Sequence, residues 1–149
     1  MLDNKDICIQ IKAILRSVKQ IKNSELALFN LTGAEGDIIF QLLSASDGLS
    51  QEKLAERLDI DKSDISKTVN SLRQKGYIRR ERQTDDFISF RVILTDAAKE
   101  ISPAIEYVYK TVCEVGLQGI NETELQILNG LLNKVYRNLR SWEPCSYSR

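Results

Sequence analysis

The chain has 149 residues, 42% hydrophobic and 28% charged, and its 21 basic residues balance its 21 acidic ones. That composition suits one globular domain, or a small module with extra helices, and the complete lack of histidine removes His-based acid–base chemistry, His-dependent nucleophiles and most zinc sites. Cys8, Cys113 and Cys145 are too dispersed for a CxxC pair, no apolar run approaches ~18 residues, and "MLDNKDICIQIK" lacks a basic-then-apolar leader, so we expect a cytoplasmic protein with no membrane segment, metal, cofactor or catalytic set.

Residues 3–29 read as one helix. Ile7, Ile11, Ile14, Val18 and Ile21 recur at spacings of 4, 3, 4 and 3, a narrow heptad seam that suits either the chain's own core or a second subunit. In "LTGAEGDIIFQLLSAS", Thr32 and Glu35 form a T-x-x-E capping box, and Ile38, Ile39, Leu42 and Leu43 form a buried face. Asp47-Gly48 ends that helix. Ser50 caps a third, short helix that buries Leu54, Ala55, Leu58 and Ile60.

Asp61 is expected to cap a fourth helix, with Asp64 near its positive end and Gly76 as its left-handed C-cap. "YIRRERQ" and "FISFRVILT" then read as a hairpin with "QTDD" at its tip. Thr95 or Asp96 opens a long fifth helix, where Ile101, Ile105, Val108, Val112 and Val115 repeat the heptad spacing and Cys113 reads as core. A sixth helix carries Leu125, Leu128, Leu132, Val135 and Leu139. Three such seams at the two ends of one short chain favour a C2 homodimer, with an intramolecular three-helix bundle as the alternative. The candidate dimer contacts are Ile7, Ile11, Ile14 and Val18, then Ile105, Val108 and Val112, then Leu128, Leu132 and Val135.

Helix, turn, helix and hairpin in that order make a winged helix-turn-helix. The fold class is therefore mainly α with a small β-hairpin wing. The winged helix-turn-helix would occupy residues 31–95, dimerisation helices 3–30 and 96–142, and a tail 143–149.

Between Lys62 and Arg82 stand seven cations and two anions, a net of +5, so the rest of this neutral chain carries −5. On a helical wheel Ile65, Val69 and Leu72 fall on one side of the fourth helix. Ser63, Lys67, Asn70, Ser71 and Gln74 fall opposite, with no anion among them. Asn and Gln can bond adenine, Lys can bond guanine, and Ser suits bases or phosphates, so this face has the inventory of a major-groove reader of double-stranded DNA. Ser66 and Arg73 flank it as phosphate contacts. Ser50, Gln51 and Lys62 complete the candidate set on the helices, and Arg80, Arg82, Thr84 and Arg91 on the wing. A solvated face, a winged helix used for protein contact, and a small enzyme are the competing readings. The polar outer face speaks against the second.

Three stretches, "LTGAEGDIIFQLL", "LSQEKLAERLDIDKSDISKTVNSLRQKGYIRRE" and "VILTDAAKEI", resemble the MarR family of transcription regulators, and the resemblance runs from about Asp3 to Leu139. It implies a homodimer built on the first, fifth and sixth helices, with one winged helix per half of a palindromic operator. It also implies repression relieved by a small-molecule effector or an oxidant. Members often carry an Arg in D-x-R at the wing tip, where this chain has Asp85, and a Gly where it has Ala98. Hydroperoxide-sensing members place a reactive cysteine near the position of Cys8, which makes Cys8 the candidate for a redox alternative. They surround it with tyrosines, and here no Tyr precedes Tyr77.

Overall fold

The computed structural model describes residues 3–82 and 90–144. The expected wing tip (Gln83, Thr84, Asp85, Asp86), the start of the second strand (residues 87–89) and Cys145 lie outside the described residues. Six α-helices and one two-stranded antiparallel sheet are found among the described residues: α1 (Asn4–Leu26), α2 (Gly33–Leu43), α3 (Gln51–Leu58), α4 (Lys62–Gln74), β1 (Ile78–Arg82), β2 (Phe90–Leu94), α5 (Asp96–Gly116) and α6 (Glu122–Arg140). The chain divides into two units, Met1–Cys113 and Glu114–Arg149. No single described helix is long and apolar enough to cross a membrane.

α1 is shorter than the sequence reading. It stops at Leu26, and Ala27–Phe29 tighten into one 3-10 turn because Asn30 adopts a left-handed conformation at φ 58°. That turn lets the Leu31 amide donate back to the Leu26 carbonyl at 3.1 Å and sends the chain into α2. The Thr32–Glu35 capping box forms as expected. α1 and α2 meet closely at Gly36, where a Cβ would lie 2.3 Å from Leu26 Cδ1.

Ser50 caps α3, its Oγ accepting from the Lys53 amide at 3.1 Å. Asp59, left-handed at φ 52°, ends α3 and turns the chain toward α4. Asp61 takes the N-cap position of α4, but its side chain accepts no bond from the first turn, contrary to expectation. Gly76, at φ 82°, turns the chain out of α4 into the hairpin. In that hairpin Ile78 pairs with Leu94 and Arg80 with Val92. A short bridge between Leu49 and Val92 pins the base of the hairpin to the approach to α3.

One hydrophobic cluster holds the first unit together. Leu26 from α1, Ile38, Ile39 and Leu42 from α2, Leu54 from α3, Ile65, Val69 and Leu72 from α4, and Ile78 and Val92 from the sheet are all at most 2% exposed. Ile105 and Val108 of α5 belong to the same cluster, at 0% and 4%. Both were expected on a partner-facing seam; they are instead closed into their own chain's core. Pro103 interrupts the backbone ladder inside α5, and the Ser102 hydroxyl donates at 2.8 Å to the Lys99 carbonyl, the acceptor Pro103 leaves without an amide.

In the second unit, α6 opens with a reciprocal cap between Asn121 and Glu124 that the sequence reading did not single out. Every described residue of α6 is exposed, including Leu128, Leu132 and Val135 at 37%, 50% and 41%.

Candidate nucleic-acid interface

The two faces of α4 differ sharply. Ile65, Val69 and Leu72 are 1%, 0% and 0% exposed, which seats the helix on the core. On the other side Ser63, Lys67, Asn70 and Gln74 are exposed, with Lys62 and Arg73 exposed beside them and Ser66 half-buried. An ammonium, a hydroxyl and two amides make up that face, without a carboxylate among them. Asp64 sits in the first turn, where the positive helix end favours it.

Two residues at the far end of α4 turn inward. The Ser71 hydroxyl, read from the wheel as part of the outer face, donates to Glu35 Oε2 at 3.0 Å. The Lys75 ammonium donates to Glu35 Oε1 at 2.8 Å and to the Asn30 carbonyl at 2.6 Å. Glu35 is 3% exposed, and its Oε1 also accepts from the Thr32 amide at 3.0 Å. Burial alone would raise this carboxyl's pKa. The bonds from Lys75, the Thr32 amide and Ser71, with the Lys75 charge, outweigh burial and hold it below its ordinary value. Glu35 therefore anchors the recognition-helix end to the start of α2. Its capping role was legible in the sequence; its second role was not.

The hairpin carries the remaining cations. Ile78, Arg80 and Arg82 share one strand face, and Arg79 and Glu81 share the other. Arg79 is paired with Glu81 at 2.7 Å on the solvent side. Arg80 is half-buried along the face turned to α4, and its Nη2 donates to Asn70 Oδ1 at 3.2 Å. The Arg82 guanidinium lies 5.9 Å from the centre of the Phe90 ring. Arg91 Nη1 donates to the Asp47 carbonyl at 3.3 Å. Among the described residues, Gln51 Nε2 is buried with no hydrogen-bond partner. Thr84 lies outside the described residues.

A second polar cluster joins α1, α2 and α5. Asp37 accepts from Lys22 Nζ at 2.7 Å and from the Tyr109 hydroxyl. The Tyr109 ring stacks on Phe40 with centroids 4.2 Å apart, and Lys22 lies over the same ring. Burial first, then the bond to Asp37 and its charge, pushes the Tyr109 hydroxyl well above its ordinary range, so it remains a donor. Sequence reading missed this cluster, because its members are dispersed along the chain.

Among the expected dimer contacts, Ile7 and Ile14 are exposed, at 45% and 61%, while Ile11, Val18 and Val112 are half-buried. Cys8 is exposed on α1. Cys113, read as core, is also exposed. Among the described residues no three His, Cys, Asp or Glu side chains gather as a metal site.

The MarR family model matches residues 29–86, from the 3-10 turn into the hairpin. The uncharacterized HTH-type transcriptional regulator YybA of Bacillus subtilis is 26% identical over 139 residues, 93% of this chain and 92% of its own length. The solved transcriptional regulator SlyA superposes with a TM-score of 0.82 at 26% identity, covering 90% of this chain and 94% of that one. The chain thus resembles the MarR family, most directly over residues 29–86. A MarR-family protein of Listeria monocytogenes, solved in complex with 26mer DNA, shares the fold at a TM-score of 0.81 and 24% identity, covering 99% of this chain and 100% of that one. The MarR-family match takes in all of α2, α3, α4 and β1, the elements that carry the two-faced helix and its Glu35 anchor.

Proposed function

We propose that this chain is a MarR-type, sequence-specific DNA-binding transcriptional regulator. In this reading it works in the cytoplasm as a homodimer on a palindromic operator, and represses until a small-molecule effector releases it. One observation carries the reading: α4 buries one apolar face completely and offers the other, polar and cationic and free of carboxylates, to the outside. Such a helix fits the major groove, and the adjoining cations supply salt-dependent affinity for phosphate. The Listeria relative was solved with DNA bound, which supports the same use of the fold.

The homodimer rests on apolar surface left uncovered. On α6, Leu128, Leu132, Val135 and Leu139 are 37% to 71% exposed, and Ile7 and Ile14 of α1 are open as well. Pairing would hold two copies of α4 about 34–36 Å apart, one turn of duplex. Effector release would act where α1, α2 and α5 meet. A ligand that separates Lys22 and Tyr109 from Asp37 would change how the winged helix is held, and a coupling of about 1–3 kcal/mol would be enough to shift operator occupancy.

A mobility shift with the DNA upstream of the protein's own gene tests this. The wild type binds, and binding weakens as salt rises to the physiological range. Lys67→Ala with Asn70→Ala abolishes the shift while sedimentation still shows a dimer. Binding that ignores salt, or that survives both substitutions, overturns the reading.

A further inference from the structure

Arg80 and Asn70 come from different elements and meet on the outer face of α4. An arginine carries only donors, so the amide of Asn70 must turn its oxygen toward the guanidinium. The 3.2 Å bond from Arg80 Nη2 to Asn70 Oδ1 therefore fixes which end of the amide looks outward: Nδ2, a donor. Bidentate reading of adenine needs both ends of the amide, one accepting from N6 and one donating to N7. Here one of the two lone pairs of the accepting end is already taken by Arg80, and the guanidinium stands beside it. Arg80 keeps Nη1 and the second proton of Nη2, and it is half-buried on the strand face it shares with Ile78, which is 2% exposed.

We propose that Asn70 and Arg80 form a single donor-only reading unit that selects guanine at one base pair in each half-site. Guanine is the base whose major-groove edge offers two adjacent acceptors, O6 and N7, and the guanidinium fork matches that spacing. This inference rests on the DNA-binding reading above and deepens it. It makes Arg80, one of the wing's candidate contacts, a determinant of specificity, and it moves Asn70 from an adenine reader to the residue that aims Arg80.

The test begins with full-length protein and a pool of randomised duplexes, from which the preferred sequence is selected. Affinities are then measured for all four base pairs at each position of that sequence. Arg80→Lys keeps the charge and removes the fork. Expected is one G·C pair per half-site where Arg80→Lys, Arg80→Ala and Asn70→Ala each lower the preference for guanine by about tenfold or more. Preferences elsewhere stay as they were, and Arg80→Lys leaves the salt dependence intact. The double substitution Asn70→Ala with Arg80→Ala costs no more guanine preference than Arg80→Ala alone, because the two residues act as one. The proposal is overturned if Arg80→Ala weakens all sequences alike while Arg80→Lys restores binding, which is the behaviour of a phosphate contact. It is equally overturned if Asn70→Ala relaxes the choice at an A·T pair. Failure of the wild type to enrich any duplex would overturn the DNA-binding reading itself, and this inference with it.

Discussion

Glu35 accepts three hydrogen bonds, from the Thr32 amide, Ser71 and Lys75, while exposing only 3% of its surface. Removing a carboxylate from such a position strands the groups it satisfied. Lys75, with 25% of its side chain exposed, would keep its charge and lose its anion. Glu35→Ala should therefore cost about 3 kcal/mol of folding stability, the loss typical of breaking a buried pair from one side. Glu35→Gln retains an oxygen for the Thr32 amide and should cost less. Chemical denaturation at neutral pH measures both, and an alanine variant as stable as the wild type would refute the anchor. Acid gives a second readout. A carboxyl held below its ordinary 4.5 contributes stability that is complete above that value and disappears as pH falls through the lower folded value. The stability gap between wild type and Glu35→Gln should accordingly be widest well above 4.5 and narrow below it.

Two glycines show how the environment of a helix sets the sign of the same substitution. At Gly36 a Cβ would lie 2.3 Å from Leu26 Cδ1, and Leu26 is fully buried. The overpacking should outweigh the better helix propensity of alanine, so Gly36→Ala should cost about 1–3 kcal/mol. At Gly130 a Cβ would meet nothing within 4 Å, and the residue faces away from the Leu128–Leu132–Val135 stripe on α6. Gly130→Ala should stabilise by about 0.5–1 kcal/mol. Thermal melts of the two variants should move in opposite directions. The helices, the Thr32 cap and the hairpin were legible in the sequence because each rests on neighbours within a few residues. The Glu35 anchor was not, since its partners Ser71 and Lys75 lie 36 and 40 positions away. Periodicity marked Ile105 and Val108 as a stripe without saying whose core they enter. Alternation placed Arg79 and Arg80 on opposite strand faces, but only the packing of β1 beside α4 says that Arg80 reaches Asn70.

At the scale of the whole molecule, the neutral chain hides a +5 segment, and the structure divides that segment's cations by what they already hold. Lys75 is bound to Glu35 and Arg79 to Glu81, whereas Lys62, Lys67 and Arg73 stand exposed along α4. Only cations that neutralise phosphates release counterions on binding, and each such contact contributes about −0.9 to the slope of log affinity against log salt. Residues of equal formal charge should therefore behave unequally. Arg73→Ala should flatten the slope by about 0.9 for each protomer bound, because an exposed charge beside the reading face is lost. Lys75→Ala should leave the slope almost unchanged, since that ammonium faces Glu35, and its effect should appear as lost folding stability instead. Fluorescence titrations of one operator duplex at several salt concentrations separate the two. Equal changes in slope for Arg73→Ala and Lys75→Ala would mean that the internal pairing of Lys75 gives way when DNA binds.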